Sequence, residues 1–341
     1  MSSGPALETT ARALVAPGKG ILAADESLTT IGKRFAALNI PSTQETRRAY
    51  RELLFTAPGL GEFISGVILF DETLRQTSAG MPMPAVLARQ GIMPGVKVDL
   101  GTAAFPGFPG EKFTQGFDGL RERLSEYRRL GARFTKWRAV IAIGDGLPTT
   151  PCIETNARDL ARFAALSQEA GLVPIVEPEV LMDGAHTIAR CEAVTGAVLK
   201  AVFTALDDHR VTLGCMLLKT GMVLPGKDHA QPAGLDAVAA ATLRALAHAV
   251  PPAVPGVVFL SGGQTDLAAT ARLNAICAAG PAPWTLSFSF GRALQDEAMK
   301  TWGGSPSNKA SAQAALRHRA RCNGFAVQGR YLPAMEHASP A

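Results

Sequence analysis

Gly214-Cys215-Met216-Leu217-Leu218-Lys219-Thr220-Gly221 is a short apolar run that ends in one lysine and then breaks at glycine. Read as a buried strand, it carries a single amine out of a hydrophobic wall at the strand's C-terminal end. Burial disfavours the ammonium form, and a neutral amine can attack a carbonyl and form a Schiff base. A strand-end lysine considered alone more often snorkels to water. The rest of the chain has to decide between the two readings.

The same order of apolar run, then polar or charged residues, then helical pattern recurs along the chain. Gly20-Ile21-Leu22-Ala23-Ala24 ends in Asp25-Glu26-Ser27, and Gly66-Val67-Ile68-Leu69-Phe70 ends at Asp71-Glu72. Met93-Pro94-Gly95-Val96 leads to Lys97-Val98-Asp99, and the run from Phe134 to Val140 alternates with Lys136 and Arg138 on one face. Leu172-Val173-Pro174-Ile175-Val176 ends in Glu177-Pro178-Glu179. After the Lys219 run come Val257-Val258-Phe259-Leu260, ending in Ser261-Gly262-Gly263, and Trp284 to Ser289, ending in Phe290-Gly291-Arg292. Helical patterns fill the gaps, for example over 116–130, 156–170, 190–206 and 235–249, and a short amphipathic helix over 5–16 precedes the first strand. Eight β-then-α units without a break in composition predict an α/β chain folded as a single (β/α)8 TIM barrel over 1–331, with 332–341 as a short flexible tail. An open doubly wound sheet fits less well, because the first glycine-rich turn, Pro17-Gly18-Lys19-Gly20, precedes its strand and lacks P-loop spacing. The Gly-, Pro- and Phe-rich stretch over 101–112 reads as a loop.

Composition narrows the function. The chain has 341 residues, 47% hydrophobic and 18% charged, which suits a large globular core. Aromatics are 6%, too few for a single-stranded nucleic-acid platform, and the formal charge of +5 is spread without a basic block. It favours anionic small substrates over DNA. Five cysteines form no C-x-x-C pair, as expected of reduced thiols in the cytoplasm. No secretory signal and no membrane span is read from the sequence.

In a barrel of this kind the chemistry sits at the C-terminal ends of the strands. Those ends carry Asp25, Lys97, Lys136, Arg138, Glu177, Glu179, Lys219, Ser261 and Arg292. Cations packed at one mouth are expected to depress the pKa of the least solvated lysine and to hold the carboxylates ionised. A carboxylate beside Lys219 could shuttle protons, and surplus positive charge would suit a doubly phosphorylated substrate. Ser261-Gly262-Gly263 and Ser289-Phe290-Gly291-Arg292, after the seventh and eighth strands, have the composition of a backbone phosphate site. The six histidines show no H-x-x-x-H or H-E-x-x-H spacing, so no catalytic metal and no cofactor is expected; no G-x-S-x-G elbow occurs.

At this point a resemblance is visible. Gly18-Lys19-Gly20-Ile21-Leu22-Ala23-Ala24-Asp25-Glu26-Ser27 resembles the opening strand of class I fructose-bisphosphate aldolases. Lys136-Trp137-Arg138, Val173 to Glu179, Val250 to Val254, Phe259 to Gln264 and Ser289 to Gln295 resemble the same family, in order, from about residue 5 to Tyr331. The resemblance implies reversible, metal-independent cleavage of fructose 1,6-bisphosphate to dihydroxyacetone phosphate and glyceraldehyde 3-phosphate (EC 4.1.2.13) in a cytoplasmic homotetramer. It implies Lys219 as the imine-forming lysine, Glu177 as its acid/base and Asp25 as the carboxylate that handles the carbon-4 hydroxyl proton. Lys136 and Glu179 tune charge around the imine. Ser261, Gly262, Gly263, Ser289, Gly291 and Arg292 would serve the phosphate on carbon 1. Arg34, Lys97 and Arg138, with Ser27 and Thr30 close by, would serve the other, and Arg47 is also associated with substrate. The chain departs from the family pattern at Gly214-Cys215, Thr220-Gly221, Thr30 and Phe290, and it ends Ala338-Ser339-Pro340-Ala341 without a tail tyrosine. The last departure bears on protonation of the enamine. Two alternatives stay open at this level: a related Schiff-base aldolase preferring fructose 1-phosphate or sedoheptulose 1,7-bisphosphate, and a non-catalytic phosphosugar scaffold.

Overall fold

A computed structural model describes residues 4–337. Eight parallel strands form a closed barrel in sequential order: β1 (Gly20–Ala24), β2 (Ile64–Leu69), β3 (Met93–Lys97), β4 (Phe134–Ile141), β5 (Val173–Val180), β6 (Leu217–Thr220), β7 (Gly256–Phe259) and β8 (Thr285–Phe290). Closure is made by β8 against β1, where Ile21 pairs with Ser289 and Leu22 with Phe290. An N-terminal helix, α1 (Gly4–Leu14), is followed after β1 by α2 (Leu28–Ala36) and α3 (Gln44–Phe55). Around the later strands run α4 (Leu120–Arg129), α5 (Thr150–Glu169), α6 (Ile188–Asp208), α7 (Leu235–Ala249), α8 (Asp266–Ala278), α9 (Arg292–Trp302) and α10 (Lys309–Ala326).

The period of two residues along each strand sorts the side chains into two cores. Ile21, Ala23, Ile68, Phe134, Val173, Ile175, Leu217 and Val258 fill the barrel interior, and Leu7, Ala11 and Leu14 of α1 pack into the same cluster. Their neighbours Leu22, Ala24, Val67, Trp137, Val176, Leu218, Val257 and Phe259 face the helices. Phe134 is packed closely within the interior. A Cβ on Gly95 would come 2.3 Å from its ring and one on Gly66 3.1 Å, so glycine at these two strand positions is what admits an aromatic ring to the middle of the barrel. The inward parity continues upward. Asp25 follows Ile21 and Ala23, Lys136 and Arg138 follow Phe134, Glu177 and Glu179 follow Val173 and Ile175, and Lys219 follows Leu217. The charged strand ends therefore share the interior face because the hydrophobic residues below them do.

Local boundaries differ from the sequence reading in ways that have physical reasons. Only Leu217–Thr220 of the Lys219 stretch is strand; Leu213–Cys215 is a 3-10 turn. The helical pattern over 116–130 starts at Leu120, after Gly119 in the left-handed region, and that over 156–170 starts already at Thr150, where the Thr149 side chain accepts a hydrogen bond from the Cys152 amide. The 101–112 stretch is not only loop: Thr102–Ala104 pairs antiparallel with Lys112–Thr114. The expected flexible tail, 332–341, is described only as far as His337. Pro333–His337 form a 3-10 turn, and Glu336 holds it by accepting from Arg319 at 2.8 and 2.6 Å and from the Tyr331 hydroxyl at 2.7 Å. The remainder, 338–341, lies outside the described residues.

Candidate active site

The C-terminal ends of the strands surround a cavity of about 380 Å³. At its floor two lysines and two carboxylates alternate. Lys219 Nζ lies 3.1 Å from Glu177 Oε1, Lys136 Nζ lies 3.4 Å from Glu177 Oε2, and Lys136 Nζ lies 2.7 Å from Asp25 Oδ2. Lys219 is 4% exposed and Glu177 3%, which rules out the snorkelling reading of the lysine. Burial alone would lower the pKa of Lys136, but Asp25, Glu177 and Asp99 outweigh it and the net shift is upward. Clustered cations were expected to depress the least solvated lysine; at Lys136 the interleaved acids reverse that expectation. Burial also opposes ionisation of Asp25, yet Lys136, Lys219 and Lys97 lower its pKa from 3.8 to about 2.

This shift has a consequence for acid stability. A carboxylate with a depressed native pKa contributes stability that is present above its unfolded value and lost as pH falls through the native one. For Asp25 the window runs from about pH 4 down to about pH 2. Urea midpoints measured across it should fall more steeply for the wild type than for Asp25→Asn. Parallel slopes would show that Asp25 is not held ionised by its lysines.

The wall above the floor is made of further ion pairs. Arg138 Nε donates to Glu179 Oε2, Lys97 Nζ lies 2.5 Å from Asp99 Oδ1, and Arg34 reaches Glu26 and, at 2.8 Å, Asp296. Six basic side chains and five acidic ones line the cavity, an excess of one positive charge where the strand-end residues alone implied two. Arg292 stands apart. It is exposed, and among the described residues it makes no hydrogen bond or salt bridge. It opens α9, whose N-terminus adds positive partial charge. Beside it are Gly291 and the Ser289 hydroxyl, which is buried and has no hydrogen-bond partner among the described residues. Gly262 and Gly263 adopt φ of +55° and +88°, a region that L side chains enter only with strain.

Ser27 caps α2, accepting from the Thr30 amide at 3.3 Å, and both residues line the cavity. Ser261, Gly262, Gly291, Arg34, Lys97 and Arg138 do so as well. Two of the expected residues do not. Arg47 is held away by Glu72, which accepts from its Nε at 2.8 Å and from Nη2 at 2.6 Å. Gly263 lies behind Arg292, where a Cβ would meet Nη2 at 3.2 Å. Conversely, Glu26, Asp99 and Gln295 were not singled out. Gln295 is fully buried, donates to the Ala23 carbonyl at 2.6 Å and accepts from the Tyr50 hydroxyl at 3.0 Å. Asp99 carries a readable signal, since it lies two residues after Lys97 on the same face.

With this geometry in hand, comparison with known proteins gives a consistent answer. The family model described as "Glycolytic: Fructose-bisphosphate aldolase class-I" matches residues 6–341. A curated relative from Xylella fastidiosa, named "Probable fructose-bisphosphate aldolase class 1", is 54% identical over 95% of this chain and 98% of its own length. "Fructose-bisphosphate aldolase 5, cytosolic" from Arabidopsis thaliana is 52% identical over 94% of this chain and 90% of its own. A solved structure of fructose-bisphosphate aldolase from Plasmodium falciparum, in complex with TRAP and a small molecule inhibitor, superposes with a TM-score of 0.94 at 50% identity, covering 96% of this chain and 95% of that one. The chain belongs to the class I fructose-bisphosphate aldolase family.

Proposed function

We propose that this chain is a lyase of glycolysis that cleaves fructose 1,6-bisphosphate reversibly through an imine on Lys219. The observation that carries the reading is the buried Lys219–Glu177–Lys136–Asp25 chain of contacts. Lys219 Nζ attacks the carbon-2 carbonyl, and Glu177 delivers the proton with which the carbinolamine hydroxyl leaves as water. Glu177 lies 3.1 Å from Lys219 Nζ and 3.4 Å from Lys136 Nζ, which supports proton transfer at the reacting amine. Asp25 takes the carbon-4 hydroxyl proton as the bond between carbons 3 and 4 breaks. Its depressed pKa supports a carboxylate in that role. The electron pair enters the protonated imine, giving an enamine, and glyceraldehyde 3-phosphate departs. Protonation at carbon 3 and hydrolysis then release dihydroxyacetone phosphate and return the amine.

Arg292, with Ser261, Gly262, Ser289 and Gly291, is assigned to the phosphate on carbon 1; Arg34, Lys97 and Arg138 are assigned to the other. The cations of the second group already hold carboxylates, so they present a shared field rather than free charge. Arg292→Ala is therefore expected to raise KM for the bisphosphate by roughly 10–100-fold, the cost of a charge-assisted phosphate contact, with a smaller change in kcat. Steady-state cleavage with and without chelator reads this out, and a parallel kcat/KM series on fructose 1-phosphate and sedoheptulose 1,7-bisphosphate ranks the substrates. Loss of cleavage in chelator would overturn the metal-independent imine reading. A homotetramer in the cytoplasm completes the proposal. Relatives named cytosolic and cytoplasmic support the location, and no helix among the described residues is long and apolar enough to cross a membrane.

A further inference from the structure

Helix α10 carries His318 and Cys322 four residues apart, so their side chains leave the same face. Glu336, on the turn Pro333–His337, reaches that face from the C-terminal segment. His318 Nε2 lies 3.6 Å from Glu336 Oε2 and 3.8 Å from Cys322 Sγ, and the three atoms lie within 4.8 Å of one another. We propose that these three side chains form a zinc site, separate from the carbon–carbon chemistry, with water completing the coordination.

The donors suit the ion. Imidazole nitrogen, thiolate sulfur and carboxylate oxygen are the ligands of Zn²⁺, at about 2.0–2.3 Å, so tetrahedral donors stand roughly 3.3–3.7 Å apart. Two of the separations, 3.6 and 3.8 Å, already stand at that spacing, and the third, within 4.8 Å, closes by about 1 Å or less on binding. The carboxylate is already oriented, as outer contacts orient metal ligands. Its Oε1 accepts from the Tyr331 hydroxyl and from Arg319 Nη1, while Oε2, which accepts from Arg319 Nη2, faces His318. Arg319 brings a positive charge close to the site, and Arg321 adds to it. The Cys322 thiolate, Glu336 and Asp266, 3.3 Å from Arg319, offset them once metal is bound. Access is available because His318 also lines a separate cavity of about 480 Å³ beside Pro58, Arg317 and Arg321, one that shares no residue with the catalytic cavity. Binding replaces the S–H bond with a Zn–S bond and releases one proton to solvent, with no redox change. The ion would then cross-link α10 to the C-terminal turn and stabilise the native state by mass action.

The test uses the full-length chain kept reduced with a phosphine. Titration with Zn²⁺ against a chromophoric chelator should give one equivalent per chain, with proton release and a rise in Tm. Titration with Co²⁺ should produce a thiolate-to-metal charge-transfer band. Cys322→Ser should abolish the band, and both it and His318→Gln should weaken zinc by more than the roughly 10–100-fold that loss of an outer partner costs. Cys277→Ser should keep both properties, and bisphosphate cleavage reports that each variant is folded. Absence of the band in the wild type overturns the proposal whatever the variants do. So does zinc binding that survives both ligand substitutions.

Discussion

Lys219→Ala should lose turnover on fructose 1,6-bisphosphate by at least about 10⁴-fold, equivalent to roughly 5.5 kcal/mol of transition-state stabilisation. The size follows from what is removed. Without the amine there is no covalent electron sink, and the electrons of the breaking bond must be carried by an enolate that no group at the cavity floor replaces. The floor also loses one of the two cations beside Glu177, leaving Lys136 as its remaining partner. Borohydride reduction in the presence of dihydroxyacetone phosphate should attach one substrate per wild-type chain, at Lys219, and none in the variant. A labelled adduct on Lys136 instead, or a variant with near-normal turnover, would remove Lys219 from the proposed role. Lys136 is the strict competitor because it is as buried and nearly as close to Glu177. Its raised pKa argues against it, since an ammonium cannot attack a carbonyl.

Glu177→Gln comes second in expected effect. The amide keeps the shape of the side chain and one acceptor oxygen but cannot carry a proton, so kcat should fall by about 10²–10⁴, the range for loss of a positioned general acid/base. KM should change little, because the phosphate-facing groups are untouched. The rate of borohydride trapping should fall with turnover, since dehydration of the carbinolamine precedes both. If trapping stays fast while turnover collapses, Glu177 acts at another step.

The Asp25 strand end and the Arg47 assignment show where sequence reading works and where it stops. Asp25 is readable because it continues an alternation begun by Ile21 and Ala23, and strand parity is a local property of the chain. The same reasoning reaches Lys136, Glu177 and Lys219. Arg47 lies on α3, where no parity rule says which cavity a long side chain enters; its bidentate contact with Glu72 decides that, and Glu72 is 25 residues away. Gln295 was passed over for a related reason. Gln295 closes the Ser289 to Gln295 motif, but a neutral glutamine one turn into a helix suggests no role by itself, and its value is visible only when Ala23 and Tyr50 are seen on either side of it. The stretch 332–341 was read as a flexible tail because nothing local in Pro333-Ala334-Met335-Glu336-His337 announces the pairing of Glu336 with Arg319.

By itself the sequence determined the order and number of the strands, the face each charged strand end shares, and the lysine on which the chemistry is proposed to turn. These are short-range properties, written in a two-residue period and in the apolar runs beneath it. Only the tertiary structure decided which charges meet. It interleaved Asp25 and Glu177 between Lys136 and Lys219, raised the pKa of one lysine against the sequence expectation, committed most of the mouth's cations to acids and left Arg292 without a carboxylate. The physical reason is distance: electrostatic coupling in a desolvated cavity depends on a few ångströms between strands that lie tens of residues apart, and no local pattern encodes it.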